Sequence, residues 1–205
     1  VNGPVYVSED RKRYNLQDLF TFSTVDLAGW RNEEGDSNAV LTAGTAQDNR
    51  TLLLDEFKKR CSPDMLLDTI VDHHKRYYTQ VVGVEEVALQ ENVSWYLEKR
   101  IRDEHLNLRV VPCKPRGKKK EVRTRNMLPA VRERQFLLHD GMIAFMDEAS
   151  HFPKGEKHLL DCFAYFPQVS SVPIRELLEQ REEQERRAYL RAIGEGESYA
   201  REAMK

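Results

Sequence analysis

Between Leu19 and Glu85 the apolar residues fall into strand-sized runs, and the lengths of the separators limit how those runs can be joined. The run from Leu19 to Thr24 continues through Val25-Asp26-Leu27 to Ala28-Gly29 and predicts a first strand at 20–27. A polar stretch, Trp30 to Asn38, then carries the turn sequence Gly35-Asp36-Ser37-Asn38. Two further runs, Ala39 to Ala46 and Thr51 to Phe57, are separated only by Gln47-Asp48-Asn49-Arg50. Connections this short fold neighbours back on one another, so the three runs predict an antiparallel meander. The next stretch follows a different rule. Ser62-Pro63 is a helix start, serine capping and proline in the first turn, and the spacing of Leu66, Ile70, His74 and Tyr77 carries the helix to about Thr79. Val81-Val82-Gly83-Val84-Glu85 is a continuous apolar run of the kind buried on both faces and ends in a carboxylate. A helix over about 88–105 and a strand at 108–112 complete a strand-helix-strand-helix-strand order, which is the pattern of parallel α/β units.

Further along, Lys120 to Leu128 predicts a helix ending before Pro129. Gln135–Leu138 and Met142–Phe145 flank His139-Asp140-Gly141, where Asp-Gly predicts a β-hairpin, and Lys157 to Phe166 predicts a short apolar helix stopped by Pro167. Residues 1–15 read as a polar lead-in. The stretch Ile174 to Lys205, rich in Glu, Arg and Ala, reads as a charged surface helix or a connector. The expectation is one α/β domain over 1–173 and a charged tail over 174–205. The domain's sheet is mixed, an antiparallel three-strand meander followed by parallel β-α units, flanked by helices and carrying an extra hairpin. The 205 residues, 40% hydrophobic and 32% charged, supply one ordinary core. No run approaches the roughly 18 apolar residues of a membrane span, and Val1 to Arg13 lacks the pattern of a secretory signal, so a protein neither membrane-bound nor secreted is expected. Cys61, Cys113 and Cys162 are widely spread with no C-x-x-C spacing, which argues against a disulfide framework or a zinc ribbon.

The charges, 32 Lys+Arg against 34 Asp+Glu, net to -2 but are unevenly placed. From Arg109 to Arg134 there are ten basic residues (Arg109, Lys114, Arg116, Lys118, Lys119, Lys120, Arg123, Arg125, Arg132, Arg134) against two acidic ones, Glu121 and Glu133. A near-neutral chain with one strongly basic segment presents a local footprint for a polyanion. Such runs are also commonly just solvated loops.

Asp26 ends the first predicted strand, Glu85 ends the fourth, and Asp161 lies in the last apolar helix. In a meander followed by parallel units the first and fourth strands are neighbours, so Asp26 and Glu85 meet at the sheet's carboxyl edge, where the closing helix can bring in Asp161. Three crowded carboxylates raise one another's pKa unless hard divalent cations lie between them, which points to Mg²⁺ or Mn²⁺. Taken singly, each has a plainer reading. Asp26 before Ala-Gly caps a turn, and Glu85 beside Glu86 leaves one of the two facing solvent. Asp161 stands out more, because an acid inside Leu159-Leu160-Asp161-Cys162-Phe163-Ala164 needs a partner. Alternation along the strand favours Glu85 over Glu86. His73, His74 and His105 lack ligand spacing with Cys113, and Trp30 and Trp95 read as core or rim.

In order along the chain, Val25-Asp26-Leu27-Ala28 is followed by Gly35-Asp36-Ser37-Asn38-Ala39-Val40, then Val82-Gly83-Val84-Glu85-Glu86-Val87-Ala88-Leu89-Gln90. After these come Lys120-Glu121-Val122-Arg123 with Leu128-Pro129, then Phe152-Pro153-Lys154-Gly155 and His158-Leu159-Leu160-Asp161-Cys162-Phe163-Ala164-Tyr165. This series resembles the C-terminal nuclease domain of the large terminase subunit of tailed double-stranded DNA bacteriophages, over roughly Thr21 to Pro167. The resemblance implies a ribonuclease H-like fold and an endonuclease that cuts concatemeric viral DNA during packaging in the host cytoplasm. It also implies two Mg²⁺ or Mn²⁺ ions on Asp26, Glu85 and Asp161, with Asp26 bridging. Many relatives carry an aspartate pair three to four residues before the last acid, where this chain has Lys157-His158, which makes His158 a candidate for a supporting catalytic role. Arg116, Lys118, Lys119, Lys120, Arg123 and Arg125 are the expected contacts to double-stranded DNA. The partners implied are the subunit's ATPase domain, the small terminase subunit and the portal. No G-x-x-x-x-G-K-[ST] loop occurs, so the chain is expected to be the nuclease half alone and not to hydrolyse ATP. A silent nucleic-acid-binding module of the same fold, or another nuclease of the fold such as a resolvase, remains as an alternative. An actin-like phosphotransferase is disfavoured because the turn after Asp26 lacks the Gly-Gly-Thr type of phosphate cradle.

Overall fold

The computed structural model describes residues 4–27, 37–86, 93–115 and 120–170; the expected tail over 174–205 lies outside them. The lead-in forms a small antiparallel ladder, β1 (Val5–Val7) on β2 (Arg13–Asn15), which sequence reading missed. It is anchored by Tyr14, Leu16 and Leu19, which are buried against Leu52 and Leu54.

The six-stranded sheet uses β3 (Phe20–Asp26), β4 (Asn38–Thr45), β5 (Thr51–Lys59), β6 (Val81–Glu85), β7 (Arg109–Cys113) and β8 (Phe136–Leu137), in the order β7-β6-β3-β4-β5-β8. β3, β4 and β5 form the expected antiparallel meander, while β6 joins β3 and β7 joins β6 in parallel. Helix α1 (Pro63–Tyr77) starts where Ser62 and Pro63 predict, the serine side chain accepting from the Met65 N–H, and it crosses from the meander to β6. α2 (Val93–Asp103) then leads to β7.

Strand alternation sorts the two faces. Val25, Val40, Val82 and Val84 point to one side, where Leu66, Leu67 and Ile70 of α1 and Leu97 of α2 close the core. The intervening residues Phe22, Thr24, Gly83, Asp26 and Glu85 point to the other. That side is covered by α5 (Ile143–His151), α6 (His158–Ala164) and α7 (Phe166–Val169). Phe22 meets Phe166 edge-on at 5.0 Å between centroids, and Phe163 meets Phe136 at 4.7 Å and Phe145 at 5.4 Å.

The predicted hairpin at 135–145 does not form. His139-Asp140-Gly141 does turn, with the Met142 N–H donating to the His139 carbonyl at 3.0 Å, but only β8 precedes it, paired in parallel with β5, and a helix follows. The run Met142 to Met146 fits either structure by its apolar content. The choice is made from a distance, because both carboxylate oxygens of Glu56 accept backbone N–H groups at the start of α5, Ala144 and Phe145, each at 2.8 Å. Both prolines expected to stop helices sit instead in the first turns of new ones. Pro129 opens α4 (Leu128–Arg132), which follows α3 (Lys120–Arg125), and Pro167 opens α7. No described helix is long and apolar enough to cross a membrane.

Candidate active site

The register Val25↔Val84 puts the next residue of each strand, Asp26 and Glu85, side by side where β3 and β6 end. Alternation turns both away from the valine core and toward α6 and α7. Asp26 is 2% exposed, and its Oδ2 lies 3.0 Å from His158 Nδ1. His158 is the first residue of α6 and Asp161 the fourth, so the two share a helix face. The helix is fixed to the sheet because Thr24 Oγ1 donates to the Cys162 carbonyl at 3.0 Å. Asp161 is buried.

Burial pushes the Cys162 thiol well above its ordinary value, and the charges of Asp26, Asp161 and Glu148 push it further. Glu85 is handled differently. Its Oε1 accepts the Tyr165 hydroxyl at 2.9 Å, and that same hydroxyl oxygen accepts Arg123 Nη1 at 2.7 Å. The guanidinium lies over the Tyr165 ring, 4.6 Å from its centroid.

α6 gets its own placement from a buried acid in α5. Glu148 Oε2 accepts the Leu159 and Leu160 N–H groups at 2.9 and 3.1 Å, and its Oε1 pairs with Lys58 Nζ at 2.9 Å. Burial works against the Lys58 ammonium, but Glu148 and Glu156 more than offset it and raise its pKa.

The structure therefore brings Asp26 and Glu85 together and lays His158 on Asp26, with Asp161 on the same helix face as His158. As the side chains stand, no three His, Cys, Asp or Glu among the described residues group closely enough to hold an ion. The donor set, Asp26, Glu85 and Asp161, fits a hard divalent cation in kind, being carboxylate oxygens alone. Glu86 goes elsewhere, pairing with Lys114 at 3.5 Å.

The basic segment divides. Arg116, Lys118 and Lys119 lie outside the described residues, and Lys120 begins α3. Arg125 is exposed, its guanidinium 5.7 Å from the Phe152 ring centroid. Arg123, expected to meet DNA phosphates at the surface, is instead turned inward and 7% exposed, because α3 packs against α6 and sets Arg123 over the Tyr165 ring. Sequence reasoning missed Tyr165, Glu148, Lys58 and Glu56 as parts of the site's support. Glu148 shares α5 with Asp147, Ser150 and His151, so no linear signal singled it out.

No protein-family profile matches the sequence, and no curated protein matches it. Among solved structures, the human cytomegalovirus terminase nuclease domain, Mn-soaked and inhibitor-bound, superposes with a TM-score of 0.54 at 8% identity, over 77% of this chain and 86% of that one. The fold is ribonuclease H-like. Two further chains superpose with lower scores. The yeast mitochondrial Holliday junction resolvase gives 0.47 at 12% identity over 70% and 73% of the two chains. The fowlpox virus Holliday junction resolvase gives 0.43 at 14% over 73% and 97%. The terminase resemblance carried by the bacteriophage-like motifs thus reappears as a shared ribonuclease H-like fold with a cytomegalovirus protein.

Proposed function

We propose that this chain is a metal-dependent DNA endonuclease of the terminase type, cutting viral DNA as genomes are packaged. The observation that carries the reading is the pair Asp26 and Glu85, set side by side on parallel strands and facing the helix that bears His158 and Asp161. It is supported by the fold shared with a terminase nuclease domain that was soaked with manganese. Asp26, Glu85 and Asp161 would hold the ions. Bound divalent ions supply an activated water and stabilise the leaving oxygen in phosphodiester hydrolysis. The chain's own contribution is to orient the acids. His158 holds Asp26 Oδ2, and α6 carries Asp161, itself buried, one turn further along the same face. Arg116, Lys118, Lys119, Lys120 and Arg125 are assigned to the DNA backbone, which fixes position without reading sequence. The ATPase domain, the small terminase subunit and the portal are the partners this role requires, in the host cytoplasm.

The test is nicking and linearisation of supercoiled plasmid. Mn²⁺ or Mg²⁺ should enable it and EDTA should abolish it. Asp26→Asn should lose cleavage while keeping its melting temperature and DNA affinity, and full cleavage by that variant would sink the assignment.

A further inference from the structure

Arg123 is buried at a cost. Its Nε and Nη2 are enclosed without a hydrogen-bond partner, so the guanidinium has given up water without full repayment. What it gains is a stacking contact on Tyr165 and one hydrogen bond to the Tyr165 oxygen. A guanidinium has no lone pair to offer, so Arg123 must be the donor in that bond. The phenol oxygen accepts, and its single proton is left for Glu85 Oε1, 2.9 Å away. The direction of the chain is therefore fixed as Arg123 to Tyr165 to Glu85. A direct arginine-carboxylate fork would occupy both oxygens of the acid. Here Nη1 stands 3.9 Å from Oε1, too far for a hydrogen bond, and the interposed phenol engages one oxygen.

We infer that Tyr165, oriented by Arg123, is a positioning residue that holds Glu85 by Oε1 and presents its second oxygen to a divalent cation. The inference rests on the reading of Glu85 as a metal ligand given above. The packing agrees with it. A Cβ on Gly83 would lie 2.6 Å from Val169 Cγ1, so only glycine lets α7 come this close to β6, and α7 follows directly after Tyr165. Outer groups that orient metal ligands typically change metal affinity by about 10–100-fold when removed.

The experiment titrates Mn²⁺ into the full chain without DNA, by calorimetry, for the wild type, Tyr165→Phe and Arg123→Lys, each checked for folding by circular dichroism. The Mn²⁺ concentration for half-maximal plasmid cleavage is measured in parallel. Tyr165→Phe should weaken Mn²⁺ binding about 10–100-fold and raise the activation midpoint by the same factor, leaving KM for DNA unchanged. Arg123→Lys keeps the charge but loses the planar stack, and should show a smaller loss in the same direction; it decides the matter if Tyr165→Phe does not fold. A folded variant with a wild-type Mn²⁺ isotherm would overturn the clamp and leave the proposed function standing. No Mn²⁺ binding by the wild type would overturn the metal reading itself and the clamp with it.

Discussion

His158 and Asp26 form the most direct pair in the site, a ring nitrogen 3.0 Å from a carboxylate oxygen that is almost wholly enclosed. A group holding a proposed ligand from behind should matter more for turnover than for stability. His158→Ala is expected to lower plasmid cleavage about 10–100-fold with an unchanged melt, and cleavage at the wild-type rate would remove the residue from the site. On the opposite face, His73 is a histidine of another kind. It ends a buried chain, Ser23 Oγ to Thr42 Oγ1 at 2.7 Å and Thr42 Oγ1 to His73 Nδ1 at 2.7 Å, with Asp55 3.6 Å from Nε2. Burial lowers its pKa from 6.5, Asp55 resists and Arg76 reinforces the fall. The fold therefore prefers the neutral ring. Below the ordinary value the unfolded chain takes a proton that the folded chain refuses, so stability is complete above it and is lost as pH falls through the window beneath it. Melting between about pH 7.5 and pH 5 should show this loss, and His73→Gln should flatten the slope relative to wild type. That Asp26 and Glu85 end neighbouring strands and that Asp161 lies in an apolar helix was legible because strand ends and apolar runs are local signals. Arg123 and Tyr165 were not, since they touch across 42 residues of chain and nothing in a linear run of lysines and arginines marks the one that turns inward.

At the scale of elements, the last three helices are placed by groups remote in sequence. Glu56 on β5 starts α5, and Glu148 on α5 starts α6, so the meander's third strand fixes the helix bearing His158 and Asp161 through two successive caps. Glu148→Ala would leave Glu156 as the remaining partner of Lys58 and leave two helix-start N–H groups without acceptors. A loss of about 1–3 kcal/mol is expected from those unsatisfied groups, readable as a lowered urea midpoint, whereas a shift within error would show α6 to be held by its apolar face alone. Gly83→Ala tests the adjoining contact. The added carbon meets Val169 Cγ1 and Cys113 Sγ at 2.6 and 2.7 Å, so about 1–3 kcal/mol of overpacking is expected. The same remoteness explains which elements could be read in advance. The meander, α1, β6 and β7 were legible because period, capping and short turns are local signals. The helix α5 was not, because its cap is 88 residues away and its apolar run suits a strand equally well.

For the molecule as a whole, net charge and the proposed DNA binding pull in opposite directions. At -2 the chain as a unit gains nothing from a polyanion, and the acidic edge at Asp26 and Glu85 repels one. The proposed binding therefore calls for a local excess of positive charge, and the turning inward of Arg123 leaves Arg116, Lys118, Lys119, Lys120 and Arg125 as the proposed source. Each phosphate neutralised by such a group releases condensed counterions, making the logarithm of affinity fall linearly with the logarithm of salt by about 0.9 per contact. Replacing Lys118, Lys119 and Lys120 together with alanine should lower the slope by about 2 to 3 while weakening binding equally for unrelated DNA sequences. Arg123→Gln, which removes a charge from an enclosed position, should leave the slope as it was. Fluorescence anisotropy with a short duplex across a series of salt concentrations measures both. An unchanged slope in the triple variant would mean that the lysine run is a solvated loop and that DNA is held by another surface. A reduced slope on Arg123→Gln would mean that Arg123 meets a phosphate when DNA is bound.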